Sequence, residues 1–133
     1  MLYPLLAIMV LTFIVLWVMF LARVYSLNTG KLKMSYFRTL KGENIPELVT
    51  KTTRHFANLF EMPVLFYTAC VLCIATGLET KTLVTVAWIF VVFRGLHAII
   101  HITYNNVTHR LFAFVGSNAC LIIMWIIIAR AGM

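Results

Sequence analysis

The stretch LYPLLAIMVLTFIVLWVMFLA, residues 2–22, contains no charged residue and is long enough for one α-helix to cross a lipid bilayer. A helix rises about 1.5 Å per residue, so about 20 apolar residues cover a hydrocarbon core roughly 30 Å thick. No basic segment precedes this stretch, and its apolar part is longer than the core of a cleaved signal peptide. We therefore predict a retained first membrane span at about residues 3–26.

The rest of the chain repeats this apolar pattern. Hydrophobic residues make up 62% of the 133 residues and charged residues only 11%, outside the range of soluble globular proteins. Three further apolar segments predict spans at about residues 45–78, 82–103 and 111–129. The sequence thus predicts a single all-α integral membrane domain over residues 1–133, a four-transmembrane-helix bundle whose first loop covers about residues 27–44.

The basic residues are distributed unevenly, and this predicts the orientation in the membrane. The net charge is +7, and most of it lies in or beside the first connection, at Lys31, Lys33, Arg38, Lys41, Lys51 and Arg54. Arg110 follows the third connection, whereas the second holds only Glu79 and Lys81. By the positive-inside rule, connections one and three face the cytoplasm and both termini lie outside. Such a basic surface predicts membrane lipids as partners, and no basic soluble domain exists to bind nucleic acid.

The second span carries a predicted start signal and a predicted kink. Asn44 and Glu47 have the spacing of a capping box, so we expect the helix to begin near Ile45. Pro63 lies further along and cannot donate a hydrogen bond to the carbonyl four residues earlier. The helix should therefore bend or open between Asn58 and Pro63.

A polar stripe precedes the apolar part of this span. The segment RHFANLFEMP, residues 54–63, contains Arg54, Asn58 and Glu61 at the spacing i, i+4, i+7. At about 100° per residue, these three side chains fall within roughly 60° of one another on a helix. The spacing predicts one polar wall rather than three unrelated surface residues.

The third span also carries polar residues on one face. Arg94, His97 and His101 lie with Tyr104 and Asn105 within an arc of about 100°. An arginine near the middle of a span costs roughly 2.5–3.5 kcal/mol on insertion scales, so it needs a partner. The only acidic residue on a span at comparable depth is in the stripe described above, so we expect Arg94 to contact that glutamate.

Two interpretations of these charges remain open. The predicted ion pair could merely fix the register of two helices, since buried pairs say little about function. However, one glutamate cannot neutralise Arg54, Arg94 and Arg110 together, and the surplus positive charge predicts an anionic ligand. His97 and His101 are spaced i, i+4 and could in principle bind a metal, but no third ligand has a suitable spacing. We expect hydrogen-bonding roles for both and no metal.

Four other polar residues are expected to be structural. His55 and His109 are predicted at the membrane interface. Ser117 and Asn118, inside the fourth span, are small polar residues of the kind that join transmembrane helices by hydrogen bonds.

Together, RHFANLFEMP, the segment FRGLHAIIHITYNNVTHR at residues 93–110 and the four-span layout resemble the MAPEG family, the membrane-associated proteins of eicosanoid and glutathione metabolism. The most specific part of the resemblance is the pattern R-x-x-x-N-x-x-E. The resemblance implies a left-handed four-helix bundle that forms a homotrimer. It also implies that glutathione binds between neighbouring subunits, toward the cytoplasmic side.

Carried over by position, the resemblance assigns a role to each residue of the stripe. Arg54 would bind a glutathione carboxylate, Asn58 would hydrogen-bond the peptide, and Glu61 would hold the γ-glutamyl ammonium group. Arg110 would lie beside the sulfur as the catalytic residue. The other residues implied in the glutathione site are Arg94, His97, His101 and, from an adjacent subunit, Arg23.

The charges of glutathione agree with this assignment. Its two carboxylates and one ammonium group suit an arginine-rich site with one glutamate, and a cation beside the thiol favours the nucleophilic thiolate. The resemblance implies glutathione as co-substrate and an apolar second substrate that enters from the lipid. The implied activity is conjugation of glutathione to apolar electrophiles or reduction of lipid hydroperoxides.

Two departures from the family pattern bear on the second substrate. His101 stands where well-studied mammalian members carry a tyrosine near the ligand, and Met62 stands where some members carry a tyrosine. A bacterial-type member in the inner membrane is therefore expected, rather than a specific eicosanoid synthase. Two alternatives remain: a non-catalytic protein of this fold that binds lipid or another anionic ligand, and a small four-span exporter, which would need an acidic residue deep in a span.

Overall fold

The computed structural model describes residues 1–40, 42 and 44–131. Within these residues the chain forms helices and no strand. The helices are α1 (Leu2–Asn28), α2 (Tyr36–Thr39), α3 (Glu47–Asn58), α4 (Met62–Thr76), α5 (Lys81–Ile102) and α6 (Val107–Ala131). Four helical segments are long and apolar enough to cross a membrane, with α3 and α4 together forming the second. The predicted all-α, four-span class is therefore confirmed. Lys41, one of the residues used to predict orientation, lies outside the described residues.

A tightly packed core holds the four segments together. Phe66 of α4 stacks on Phe90 of α5, with ring centroids 4.2 Å apart and an interplanar angle of 8°. Cys70, Cys73 and Met124 are buried in the same cluster, so these two cysteines act as small apolar side chains. In contrast, large apolar side chains cover the outer surface of α1 and α6, as expected where a surface faces lipid or another subunit.

Helices α5 and α6 approach each other closely at Gly116. A Cβ atom added at Gly116 of α6 would lie 2.7 Å from the ring of Phe93 on α5, which is below any normal contact distance. A residue without a side chain therefore allows the two helices to pack this closely.

The second segment is broken where a kink was expected. Helix α3 ends at Asn58, and α4 begins at Met62 with Pro63 in its first turn. Pro63 has no N–H group to continue the α-helical hydrogen-bond pattern, so the chain opens over residues 59–61. The break separates a polar helix, α3, from an apolar one, α4.

The predicted capping box is wrong. Helix α3 begins at Glu47, two residues later than expected, and Pro46 is its N-cap, with no side-chain capping bond. Asn44 adopts a left-handed conformation with φ 57°, and the residue before a proline disfavours helical geometry. The helix therefore cannot extend back to Ile45. Glu47 instead pairs with Lys51 one turn later, with 2.7 Å between Oε1 and Nζ.

Candidate functional site

A cavity of about 490 Å³ lies between α3, the break that follows it, α5 and α6. Its polar lining consists of Arg54, Asn58, Glu61, His97, His101 and Arg110, and its apolar lining consists of Ala57, Val107, Leu111 and Phe114. The volume falls within the range of about 300–1,000 Å³ that is typical of small-molecule sites. The structure thus brings six of the predicted site residues to one cavity and leaves Arg23 and Arg94 outside its lining.

The polar stripe forms one wall of this cavity. Arg54 and Asn58 lie one helical turn apart on α3, and Glu61 is the N-cap residue of α4. Within the described parts of the chain, the ion pairs join the N-terminal ammonium group to Glu79 and Lys51 to Glu47, at 2.9 and 2.7 Å. The charged residues of the cavity therefore form no ion pair with one another.

Arg94 does not contact Glu61 as predicted. Its side chain is 1% exposed, and its Nη2 donates a hydrogen bond to Oδ1 of Asn118 on α6 at 3.3 Å. The guanidinium carbon lies 5.4 and 5.3 Å from the ring centroids of Phe90 and Phe114. An amide and two aromatic faces thus surround the buried cation, whereas the glutamate lies exposed at the helix break.

The two polar residues of α6 behave differently from each other. Asn118 joins α6 to α5 through its bond with Arg94, as a helix-joining residue should. Ser117 was expected to do the same, but its hydroxyl donates to the carbonyl of Phe114 in its own helix, at 2.7 Å. A serine hydroxyl that bonds back to its own helix is common inside transmembrane segments.

Arg23 lies at a second location. Its Nη2 donates to Oγ1 of Thr53 on α3 at 3.1 Å, and its guanidinium lies 6.0 Å from the ring centroid of Phe37. It lines a groove of about 380 Å³ between α1 and the region of α2. Within one chain, Arg23 is therefore separate from the cavity.

His55, which is predicted at the membrane interface, packs against the histidines of α5. It is 1% exposed, and its ring centroid lies 5.4 Å from that of His97 and 4.9 Å from that of His101. No group of His, Cys, Asp or Glu within the described ranges could hold a metal ion.

Arg110 lies in the first turn of α6 and is held by neutral groups. Its Nη1 donates to Oδ1 of Asn105 at 2.9 Å and contacts Nε2 of His101 at 3.3 Å. The turn before α6 is closed by Asn106, whose Oδ1 accepts a hydrogen bond from the N–H of His109 at 3.1 Å. This is the usual N-cap arrangement, and it fixes where α6 begins.

Four membrane-spanning segments, three of which line a cavity with basic side chains, define an all-α integral membrane protein. The chain belongs to the MAPEG family, which it matches over residues 1–130. It is therefore a membrane protein of the glutathione and eicosanoid metabolism family. No curated protein sequence and no solved structure matches the chain significantly.

Proposed function

We propose that this protein is a glutathione-dependent membrane enzyme that activates the glutathione thiol for conjugation to apolar electrophiles or reduction of lipid hydroperoxides. The observation that carries the proposal is the lining of the cavity, where Arg54 and Arg110 share the space with a single acidic residue, Glu61. Because the cavity has surplus positive charge, an anionic ligand is the natural occupant.

The arrangement suits the functional groups of glutathione. Arginine donates two parallel hydrogen bonds to a carboxylate, so Arg54 binds one of the two glutathione carboxylates. Glu61 accepts from the γ-glutamyl ammonium group, and Asn58 can both donate to and accept from a peptide bond. His97 and His101 complete the polar wall, and Arg94 supports it from behind the ring of Phe114.

The proposed chemical role of Arg110 is stabilisation of the thiolate. The thiol loses its proton to water, and the negative charge that remains on sulfur is held by the guanidinium group. In conjugation, the thiolate forms a C–S bond to an electrophilic carbon, and the displaced electron pair departs with a leaving group or takes a proton from water. In reduction, the thiolate attacks the terminal oxygen of the hydroperoxide, the O–O bond breaks, and the alkoxide takes a proton from water and leaves as the alcohol. The resulting glutathione sulfenic acid reacts with the thiol of a second glutathione to give glutathione disulfide and water. The second substrate reaches the sulfur along Val107 and Leu111, the two exposed apolar residues of the α6 wall.

The open side of the cavity supports a neighbouring subunit, and the family resemblance implies that the assembly is a homotrimer. Arg54 and Glu61 are exposed in the single chain, so one side of the cavity is open for a neighbouring subunit. An apolar groove of about 640 Å³ lies between α4 and α6 and is lined by Leu65 and Trp125 among others. We propose that a second copy covers this surface, with Arg23 of that copy reaching the cavity. Light scattering in detergent should give three times the chain mass of 15.2 kDa.

Calorimetric titration with glutathione in detergent tests the proposed function. The wild-type protein should bind at millimolar ligand or below, and Arg54→Ala should weaken binding about 10- to 100-fold, since a charged hydrogen bond contributes about 1.5–3 kcal/mol. Arg130→Ala is the matched control, because this arginine lies in the last turn of α6, away from the cavity. No heat of binding from a folded wild-type protein would refute the proposal. A tightly held lipid in the cavity, together with no thiol chemistry, would instead support the non-catalytic alternative.

The thiolate step has its own test. Arg110→Ala should still bind glutathione, because Arg54 and Glu61 remain, but the ultraviolet absorbance of the bound thiolate at neutral pH should disappear. Unchanged absorbance would show that another group stabilises the thiolate.

A further inference from the structure

The hydrogen-bond partners of Arg110 are both uncharged. Oδ1 of Asn105 lies 2.9 Å from Nη1, and Nε2 of His101 lies 3.3 Å from the same nitrogen. No carboxylate in the described part of the chain lies within ion-pair distance of this guanidinium group. One end of the side chain is therefore fixed while its positive charge stays uncompensated.

The backbone at Asn105 explains why an asparagine can do this. Its φ is 50°, in the left-handed region, and its N–H donates to the carbonyl of Ile100 at 2.8 Å. Glycine, asparagine and aspartate are the residues that adopt this conformation most readily. Glycine offers no side-chain acceptor and aspartate offers a charged one, so asparagine is the choice that gives a neutral acceptor.

The hydrogen bond between Arg110 and His101, the second partner, requires a neutral imidazole ring. A guanidinium group can only donate, so Nε2 of His101 must accept and carries no proton. The ring is held from two sides by His55 and His97, with centroids 4.9 and 5.7 Å away. A protonated His101 would lose this hydrogen bond and place a second cation against Arg110.

We propose that Asn105 and His101 form a neutral clamp, which positions the Arg110 guanidinium group and keeps its full charge available for the thiolate of bound glutathione. The inference rests on the proposed function. Asn105 and His101 are positioning residues, because neither is assigned a bond to the sulfur. A carboxylate in the place of Asn105 would give Arg110 a permanent counter-ion, and the thiolate would then compete with it for the same cation.

The test compares two isosteric changes one residue apart. Asn105→Asp keeps the shape and the backbone conformation but adds a carboxylate in contact with Arg110. Asn106→Asp adds the same charge at the neighbouring position, where aspartate caps α6 as well as asparagine does. Each protein is saturated with glutathione, and the thiolate absorbance is followed against pH.

A cation in contact with a thiol lowers the pKa of the thiol by about 1–3 units. A carboxylate at position 105 would cancel much of this effect of Arg110. At a pH below the pKa of the bound thiol, Asn105→Asp should therefore reduce the thiolate fraction about tenfold or more. Asn106→Asp should change it less than about threefold. Asn105→Gly, which removes the acceptor without backbone strain, should bind glutathione but also lose thiolate, because Arg110 is no longer held. This variant keeps the test valid if the aspartate variant does not fold.

The outcomes separate the two proposals. If wild-type protein binds glutathione and forms thiolate, but both position-105 variants titrate like Asn106→Asp, the clamp is wrong and the proposed function stands. If the folded wild-type protein binds no glutathione, the proposed function fails and the clamp fails with it.

Discussion

Arg94 is the largest fully buried side chain of the molecule as described, yet it has few hydrogen-bond partners. Its Nε and Nη1 groups are buried without an acceptor in the described residues, and only Nη2 has one, from Asn118. The faces of Phe90 and Phe114 supply the remaining electrostatic attraction. The single amide bond should therefore matter strongly for the stability of the bundle.

Asn118→Leu should lower the free energy of unfolding in mixed micelles by about 3 kcal/mol, because it leaves a buried charge without its acceptor. The double variant Arg94→Met with Asn118→Leu should recover more than half of this loss, since it replaces the polar pair by apolar side chains of similar size. Equal losses of unfolding free energy in the single and double variants would show that the loss in Asn118→Leu does not come from breaking the Arg94–Asn118 bond.

Residue types alone predicted the polar wall but not every partner. The spacing of Arg54, Asn58 and Glu61 follows from helical periodicity, which operates within one helix. The partner of Arg94 depends on how two helices face each other. The charge of Arg94 predicts an acidic partner, whereas the residue that faces it on α6 is the amide of Asn118. The burial of His55 likewise depends on another helix, because its ring packs against His97 and His101 of α5.

The contact between α5 and α6 gives a prediction at the level of helices. Gly116→Ala should destabilise the protein by about 1–3 kcal/mol relative to Gly95→Ala, because the new methyl group would overlap the ring of Phe93. Gly95 is the matched control: it lies on the partner helix, and a Cβ there meets nothing within 4 Å. Thermal unfolding of the two variants in the same detergent measures the difference, and equal stability would mean that Phe93 moves aside without cost.

The break between α3 and α4 gives a second prediction. Pro63→Ala restores an N–H group and lets the two helices join, which would rotate Glu61 relative to Arg54 and Asn58. Glutathione affinity should fall about tenfold while helix content is kept. Pro46→Ala is the control, since that proline precedes α3 and does not line the cavity. Affinities that remain equal in the two variants would show that the break does not shape the site.

Helix ends were harder to predict than helix existence. Long apolar runs and Pro63 indicated the spanning segments and the opening at residues 59–61, because both signals are local and strong. The start of α3 was misplaced because Pro46 restricts the residue before it, and this outweighs the capping preference of Asn44. A capping pattern is reliable only where the residues between its two members can be helical.

For the whole molecule, the charge distribution predicts that the first and third connections face the cytoplasm and that the second connection and both termini lie outside. In a background with Cys70, Cys73 and Cys120 changed to alanine, a cysteine at Lys81 should react with a membrane-impermeant maleimide in intact cells. A cysteine at Lys33 should react only after the membrane is permeabilised. The reverse pattern would invert the predicted orientation.

The position of the helix break sets how the molecule matches its bilayer. Helix α4 has 15 residues and α1 has 27, which correspond to about 22 and 40 Å along their axes. Because the second span comprises α3 and α4 together, and α4 alone is shorter than a typical hydrocarbon thickness of about 30 Å, the last part of α3 beside the polar cavity completes this span. Under the proposed function, turnover in liposomes should therefore vary with acyl-chain length and be fastest in thin bilayers, in which less of α3 and its polar cavity is drawn into the hydrocarbon.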